Sequence, residues 1–136
     1  MVFNQELNLV DYLIVPSDIT IEVEQEIHRI TDLIVENINS QGLFSIEFFL
    51  TPHGEVLVNE MAPRTHNSAH YTIEGTNCSQ FEAQLRVLLG LSIPEIHSTI
   101  PSAMINLVGE QGYEGIPYID GIEELTNYTH AHIHLY

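Results

Sequence analysis

The sequence predicts an α+β protein, in which neighbouring strands pair through hairpins and a few helices pack beside them. Two strand-like runs, 43–51 and 55–61, are rich in aromatic and branched residues and are separated by a turn sequence, which is typical of a β-hairpin. Two further segments, 21–38 and 79–89, carry apolar residues at helical spacing. Because strands and helices do not alternate regularly, the pattern favours α+β over a doubly wound parallel sheet.

The elements follow in chain order. The apolar run 9–15 predicts a first strand, and the helix after it should stop near Gly42, since glycine favours helix ends. The Pro-His-Gly sequence at 52–54 is typical of a turn, and the second helix should end at Gly90. The rest of the chain divides into a linker, a strand, a short helix and a last strand, at 94–101, 102–108, 119–125 and 128–136.

Charge limits the partners of the protein. The chain of 136 residues has 19 acidic residues, three arginines and no lysine, with a formal net charge of -16. This balance argues against nucleic acid and anionic membranes as partners. It also argues against a complete phosphate site within these residues, because such sites usually use several cations. The acidity is a solvated surface, or it complements cations on a part of the protein outside this sequence, and the two explanations are compatible.

The composition is that of a globular protein, since 44% of the residues are hydrophobic. No apolar run approaches the roughly 18 residues that would span a bilayer. Cys78 is the single cysteine, so no internal disulfide can form. No secretory signal is visible at the start of the sequence. We therefore expect a cytoplasmic protein.

The predicted hairpin carries two glutamates that could share a cation. If its turn is the four residues 52–55, Thr51 pairs with Val56, and Glu47 then faces Glu60 with Cβ atoms about 5 Å apart. Opposed carboxylates need compensation, and magnesium is commonly held by one or two carboxylates together with substrate phosphates. A slip of one residue would instead place the two glutamates on opposite faces as edge charges. The pattern alone leaves both interpretations open.

The loop after the hairpin concentrates side chains that form hydrogen bonds. Arg64 could fork onto a carboxylate, bicarbonate or phosphate, or could be a surface ion-pair partner. His66 could be a general acid–base group or an oriented donor, or simply a hydrogen-bonding loop residue. Asn67 and Ser68 could bind an anion, and they are equally common in turns.

A second cluster lies near the end of the chain, where His130, His132 and His134 alternate. On a strand all three would point to one face and could bind zinc or copper. Alternate strand residues lie about 6.5 to 7 Å apart, which is long for sharing one ion. No carboxylate or thiol accompanies them, so the pattern favours a polar strand face.

One long motif resembles a known family. The segment IEFFLTPHGEVLVNEMAPRTHNSAHYTIEG (46–75), followed by SQFEAQLRVLLGL (79–91), is similar to the 5-(carboxyamino)imidazole ribonucleotide synthases, the ATPase subunits of phosphoribosylaminoimidazole carboxylase in the ATP-grasp superfamily. The resemblance implies an ATP-grasp fold. Residues 1–93 would form the second, C-terminal lobe, and residues 100–136 would begin a small C-terminal β subdomain.

The resemblance also implies one site built from three sets of residues. These are the magnesium ligands Glu47 and Glu60, the catalytic residues Arg64 and His66, and the substrate-binding residues Asn67, Ser68 and His70. Two positions depart from the family pattern, because Ala69 stands where glycine is usual and Thr65 where proline is common.

The function implied by the resemblance is a step of de novo purine biosynthesis. Family members use ATP, magnesium and bicarbonate to form carboxyphosphate, then carboxylate aminoimidazole ribonucleotide, releasing ADP and phosphate. They are much longer and tend to be homodimers, so we expect a C-terminal fragment that is inactive alone. The alternatives are another purine-pathway ATP-grasp ligase or transformylase, and a non-catalytic acidic metal-binding module.

Overall fold

The predicted α+β class is confirmed by the computed structural model, which describes residues 1–4, 9–109, 112–116 and 118–135. The described strands are, in chain order, β1 (Val2–Asn4), β2 (Leu9–Val15), β3 (Ser45–Leu50), β4 (Val56–Ala62) and β5 (Ser102–Ile105). The described α-helices are α1 (Ile21–Asn37), α2 (Thr72–Gly75), α3 (Gln80–Leu88) and α4 (Ile122–Leu125). A single 3-10 turn, Asn67–Ala69, precedes α2. No described helix combines the length and the apolar character that crossing a bilayer requires.

The strands form two small antiparallel sheets. In the first, β2 pairs with β1 along one edge and with β5 along the other. Val10 and Leu13 of β2 are buried, at 6% and 4% exposure, so the central strand supplies the apolar side of this sheet. The second sheet is the hairpin of β3 and β4. The predicted strand 9–15 and the predicted hairpin are both confirmed.

Helix α1 matches the predicted helical segment 21–38, but it ends before the expected stop near Gly42. Its start is capped by Thr20, whose hydroxyl accepts the amide N–H of Val23 at 3.5 Å. The chain leaves helical geometry at Ile38, whose N–H donates to the carbonyl of Val35 at 3.1 Å. Asn37 also folds its side-chain amide back onto a carbonyl of the last turn. The expected stop near Gly42 is therefore wrong, because polar groups at the helix end complete its hydrogen bonds first.

Helix α3 matches its prediction at both ends. Ser79 caps the start, with its hydroxyl accepting the N–H of Glu82 at 3.2 Å. Gly90 follows the C-cap with a φ of 65°, a left-handed conformation that glycine adopts without strain. Ala83 and Gln80 are the buried residues of this helix.

The last predicted strand is wrong. The described part of the segment, 128–135, forms turns and irregular backbone rather than a strand, and residue 136 lies outside the described residues. The N–H of Ala131 donates to the carbonyl of Tyr128 at 3.1 Å, so local turns take the backbone groups that a strand would pair. The strand predicted over 102–108 ends at Ile105, and the short helix predicted over 119–125 spans Ile122–Leu125.

The chain forms two compact units, Met1–Asn106 and Leu107–Tyr136. The first contains both sheets and helices α1 to α3. Its end is tied to β2, because the side-chain amide of Asn106 donates to the carbonyl of Val10 at 2.6 Å. The second unit contains α4. Strand β5 thus pairs within the first unit, and the assignment of 1–93 and 100–136 to two parts stays a prediction.

Candidate functional site

The turn of the hairpin is one residue longer than predicted. Leu50 pairs with Val56, so the turn spans the five residues 51–55 instead of four. The hydroxyl of Thr51 accepts the N–H of Glu55 at 3.1 Å, and its own N–H donates to the carbonyl of Glu55 at 2.9 Å. The predicted pairing of Thr51 with Val56 is therefore wrong.

A bulge in β4 restores the pairing of the two glutamates. Phe48 pairs with Val58, but the register shifts at the next position and Glu47 pairs with Glu60. Asn59 is the extra residue, and its side-chain amide donates to Glu47 Oε2 at 3.3 Å. The predicted opposition of Glu47 and Glu60 is confirmed, although the regular register used to predict it is not.

The imidazole of His66 contacts both carboxylates. Its Nε2 lies 2.8 Å from Glu60 Oε1, and its Nδ1 lies 3.3 Å from Glu47 Oε1. The side chains of His66 and Glu47 are 13% and 10% exposed, whereas that of Glu60 is 55% exposed. One potential ligand atom from each residue lies within 4.8 Å of the others. Sequence analysis assigned His66 to catalysis alone, and the structure brings it into the cluster of potential metal ligands.

The contacts of His66 fit a neutral ring that carries its proton on Nε2. In that tautomer Nε2–H donates to Glu60, and Nδ1 accepts from the hydroxyl of Ser68, 2.9 Å away. Nδ1 then has no proton for Glu47, and Glu47 Oε1 is a buried oxygen without a hydrogen-bond donor among the described residues. Such an oxygen is costly unless a donor or a cation compensates it. The donor set of two carboxylates therefore fits a hard divalent cation.

Arg64 offers an exposed guanidinium in the loop after β4. It donates to the backbone carbonyl of the next residue at 2.9 Å. The other two arginines are engaged on helices, Arg29 with Glu26 and Arg86 with Glu82, each at 2.7 Å. Within the described ranges, Arg64 is the one arginine outside a salt bridge. Its fork is thus available to a small anion.

The three predicted substrate-binding residues occupy different surroundings. Asn67 lines the cleft described below together with His66. Ser68 contacts the His66 ring, as given above. His70 is half-buried, with Nδ1 2.9 Å from the carbonyl oxygen of His66 and its ring edge-on to Phe81 at a centroid distance of 5.3 Å. In this structure Ser68 and His70 thus contact the His66 residue itself, and their role in binding substrate stays a prediction.

An open cleft of about 730 Å³ lies beside the two glutamates. Val23 and Ile27 of α1 and Phe48 of β3 contribute to its apolar wall. Glu47 and Glu60 contribute its charged groups. The volume falls in the range of small-molecule sites, roughly 300 to 1,000 Å³. The cleft therefore combines an apolar wall with a cluster of potential metal ligands.

Sequence analysis missed Gln80 as part of this site. The residue is 6% exposed, and its side chain reaches the backbone of His66 from the first turn of α3. A glutamine at a helix start carries no chemical signature. Only its position in the segment SQFEAQLRVLLGL (79–91) marked Gln80 as part of the motif.

The alternative histidine site is not supported. Residues 130, 132 and 134 do not share a strand face, because no strand forms there. In the part of the chain that the structure describes, one group of metal-ligating side chains comes together, and it consists of Glu47, Glu60 and His66.

Comparison with known proteins gives a consistent result. A family model described as the ATP-grasp domain matches residues 2–81. The N5-carboxyaminoimidazole ribonucleotide synthase of Aquifex aeolicus (strain VF5) is 41% identical over 93 residues, covering 68% of this chain and 25% of the relative. That of Bacillus subtilis (strain 168) is 36% identical over 104 residues, covering 76% and 27%.

Solved structures agree with these relatives. The N5-carboxyaminoimidazole ribonucleotide synthetase of Thermotoga maritima superposes with a TM-score of 0.78 at 43% identity, covering 85% of this chain and 32% of that chain. The Aspergillus clavatus synthase, solved with ADP and 5-aminoimidazole ribonucleotide, gives 0.72 at 33% identity, covering 80% and 30%. The chain spans 25% and 27% of the length of the two curated relatives.

Proposed function

The chain belongs to the ATP-grasp family, and from this membership we propose that it carries the metal-binding half of an ATP-dependent carboxylase site. The proposed reaction converts ATP, bicarbonate and aminoimidazole ribonucleotide to carboxyaminoimidazole ribonucleotide, ADP and phosphate through carboxyphosphate. It is a step of de novo purine biosynthesis. The names of the relatives support the carboxyaminoimidazole ribonucleotide product, and one relative was solved with ADP and aminoimidazole ribonucleotide. The motif of residues 46–75 carries the residues that the proposed reaction needs.

The observation that carries the proposal is the facing pair of Glu47 and Glu60, with one buried oxygen that lacks a donor. We propose that these two carboxylates hold magnesium. Magnesium held there would supply the positive charge that neutralises the charge developing during phosphoryl transfer. Glu60 is half-exposed and can turn toward the ligand, whereas Glu47 is held by Asn59.

The neighbouring side chains have distinct proposed roles. Arg64 presents a planar fork that matches bicarbonate or a carboxyphosphate, and fixed positive charge beside a developing anion lowers the barrier. In the tautomer with its proton on Nε2, His66 donates to the Glu60 carboxylate and accepts a hydrogen bond from Ser68. It is thus placed to orient the substrate or exchange a proton with it. Asn67 would contact the substrate from the cleft.

The cleft suits the nucleotide part of the reaction. We propose that its apolar wall receives the flat face of an adenine base, and that its carboxylate end directs the metal toward the phosphates. The chain contains no lysine, so the cations that a triphosphate requires would come from outside these 136 residues.

The larger organisation also remains a proposal. Residues 1–93 would form the C-terminal lobe of the grasp, and 100–136 would begin a small β subdomain. Strand β5 of the second segment pairs with β2 of the first. A homodimer is proposed for the whole protein.

The direct test is substrate-dependent ADP formation by the full-length protein that contains this chain. With MgATP and bicarbonate, adding aminoimidazole ribonucleotide should stimulate ADP release, whereas glycinamide ribonucleotide should not. The 136 residues alone should not turn over, because the cationic side of the nucleotide site is missing. Stimulation by glycinamide ribonucleotide would instead favour another purine-pathway ligase, and turnover by the isolated chain would contradict the proposed division of the site.

A matched pair of variants ties that activity to the hairpin. Glu60→Gln should lower kcat/KM at least about 10- to 100-fold, the loss that follows removal of even an outer-shell partner of a metal. Glu55→Gln, in the exposed turn of the same hairpin, should leave kcat/KM unchanged. Equal effects of the two substitutions would remove the hairpin from the proposed mechanism.

A further inference from the structure

The residue that carries the imidazole of the site lies outside regular secondary structure. His66 has extended backbone dihedrals, φ -129° and ψ 146°, but it follows the end of β4 and precedes the 3-10 turn. Its carbonyl accepts the N–H of Ala69 at 3.0 Å in that turn, and its N–H has no backbone partner among the described residues. The position of its ring between Glu47 and Glu60 therefore depends on other contacts.

Gln80 supplies these contacts from a distant element. Its Oε1 accepts the N–H of His66 at 2.8 Å, and its Nε2 donates to the carbonyl of His66 at 2.9 Å. A side-chain amide thus bonds to both backbone groups of one residue, as a paired strand would, and the carbonyl also accepts the N–H of Ala69. Gln80 Nε2 also lies 2.8 Å from Nδ1 of His70.

The backbone from which this side-chain amide extends is also fixed. Gln80 begins α3, directly after the Ser79 cap. Its backbone N–H donates to the hydroxyl of Thr72 at 3.0 Å, and that hydroxyl donates to the carbonyl of Ala69 at 2.6 Å. The start of α3 and the 3-10 turn are thereby joined by a continuous chain of hydrogen bonds.

We propose that Gln80 is a positioning residue that fixes the His66 imidazole between the two glutamates of the cation site. The inference rests on the proposed function, because it concerns the same site. A buried glutamine often forms hydrogen bonds only with backbone groups of its own helix. Gln80 instead directs its side-chain amide to the loop, to both backbone groups of His66. Since His66 Nε2 and Glu60 Oε1 are 2.8 Å apart, a movement of about 1 Å would break that hydrogen bond.

The test uses imidazole spectra of the 136-residue chain labelled with ¹⁵N-histidine. The wild-type His66 ring should show a single tautomer with the proton on Nε2, and a His66→Asn variant identifies its signals. Gln80→Met removes both side-chain hydrogen bonds at similar volume, and it should convert His66 to averaged tautomers. Gln80→Glu keeps the acceptor for the His66 N–H but loses the donor, and it should give an intermediate spectrum.

Gln84→Met is the matched control, since Gln84 is the same residue type on the same helix. It should leave the His66 signals and Mn²⁺ affinity unchanged, whereas Gln80→Met should weaken Mn²⁺ binding about 10-fold. Unchanged signals of His28 and His97 would show that the variants are folded. If Gln80→Met does not fold, Gln80→Glu provides the test. A folded Gln80 variant with an unaltered His66 ring would overturn the proposal.

The two proposals fail in different ways. If the wild-type chain binds no Mn²⁺ but His66 responds to Gln80, the metal function fails and the positioning role stands. If Mn²⁺ binds at the glutamates and the imidazole spectrum of His66 does not change in the Gln80 variants, the metal function stands and the positioning role is refuted.

Discussion

Glu47 differs from an ordinary surface carboxylate in three respects. Its side chain is 10% exposed, it faces Glu60 across the hairpin, and its Oε1 has no hydrogen-bond donor among the described residues. Opposed like charges destabilise a strand pair, and burial increases the cost. Glu47 is therefore placed to bind a cation, and without that cation it lowers the stability of the fold.

Glu47→Gln should consequently have opposite effects on stability and on binding. Without divalent cations, the free energy of unfolding should rise by up to about 1 kcal/mol, because one of two facing charges is removed. Mn²⁺ affinity should fall at least about 10-fold. Urea unfolding and calorimetric titration measure the two quantities, and Glu55→Gln should change neither. A Glu47→Gln chain that is less stable without metal would show that the carboxylate has a structural role instead.

Residue chemistry predicts the candidate side chains of the site, and the family resemblance assigns their roles. The glutamates and the loop residues Arg64 and His66 were selected because carboxylate, guanidinium and imidazole groups have specific uses. Gln80 could not be found in this way, since an amide at a helix start is chemically unremarkable. Its importance arises only when the fold brings α3 against the loop.

At the level of elements, the hairpin shows where pattern reasoning fails. The pairing of Glu47 with Glu60 was derived from one constant register, whereas the hairpin has a five-residue turn and a bulge at Asn59. The two deviations compensate each other. A bulge depends on local backbone geometry and on one side-chain hydrogen bond, and neither leaves a periodic pattern in the sequence.

The turn of the hairpin gives a prediction at this scale. Gly54 has a φ of 84°, and a Cβ added there would meet no atom within 4 Å. Gly54→Ala should lower the free energy of unfolding by about 1 to 2 kcal/mol through backbone strain alone. Gly54→Asn should lower the free energy of unfolding by less than Gly54→Ala, because asparagine tolerates positive φ.

Gly42→Ala is the matched control for that substitution in urea unfolding. Gly42 has an ordinary backbone conformation, and a Cβ there would make normal contacts with the Phe44 ring at 3.5 Å. It should change stability by less than Gly54→Ala. Equal losses at the two positions would mean that the turn conformation does not constrain the hairpin.

Helix periodicity predicted the secondary structure of this chain better than strand alternation did. The amphipathic segments became α1 and α3, because several apolar positions on one face support each helix. The alternating histidines near the end did not become a strand, because the backbone around them forms turns, in which the N–H of Ala131 donates to the carbonyl of Tyr128. Alternation predicts a strand only where a partner strand is present to pair with it.

For the whole molecule, charge is the dominant feature. With 19 acidic residues and no lysine, many carboxylates could attract a divalent cation weakly. Affinity alone would therefore not identify the proposed site. The location of the ion must be measured, and among described residues the only assembled group of ligands is Glu47, Glu60 and His66.

The most direct measurement is anomalous diffraction from crystals of the chain soaked in MnCl₂ with ADP. We expect the strongest manganese peak between the carboxylates of Glu47 and Glu60, and its loss in crystals of Glu47→Gln. A strongest peak elsewhere, with the two facing carboxylates unoccupied, would contradict the claim that this hairpin binds the catalytic cation.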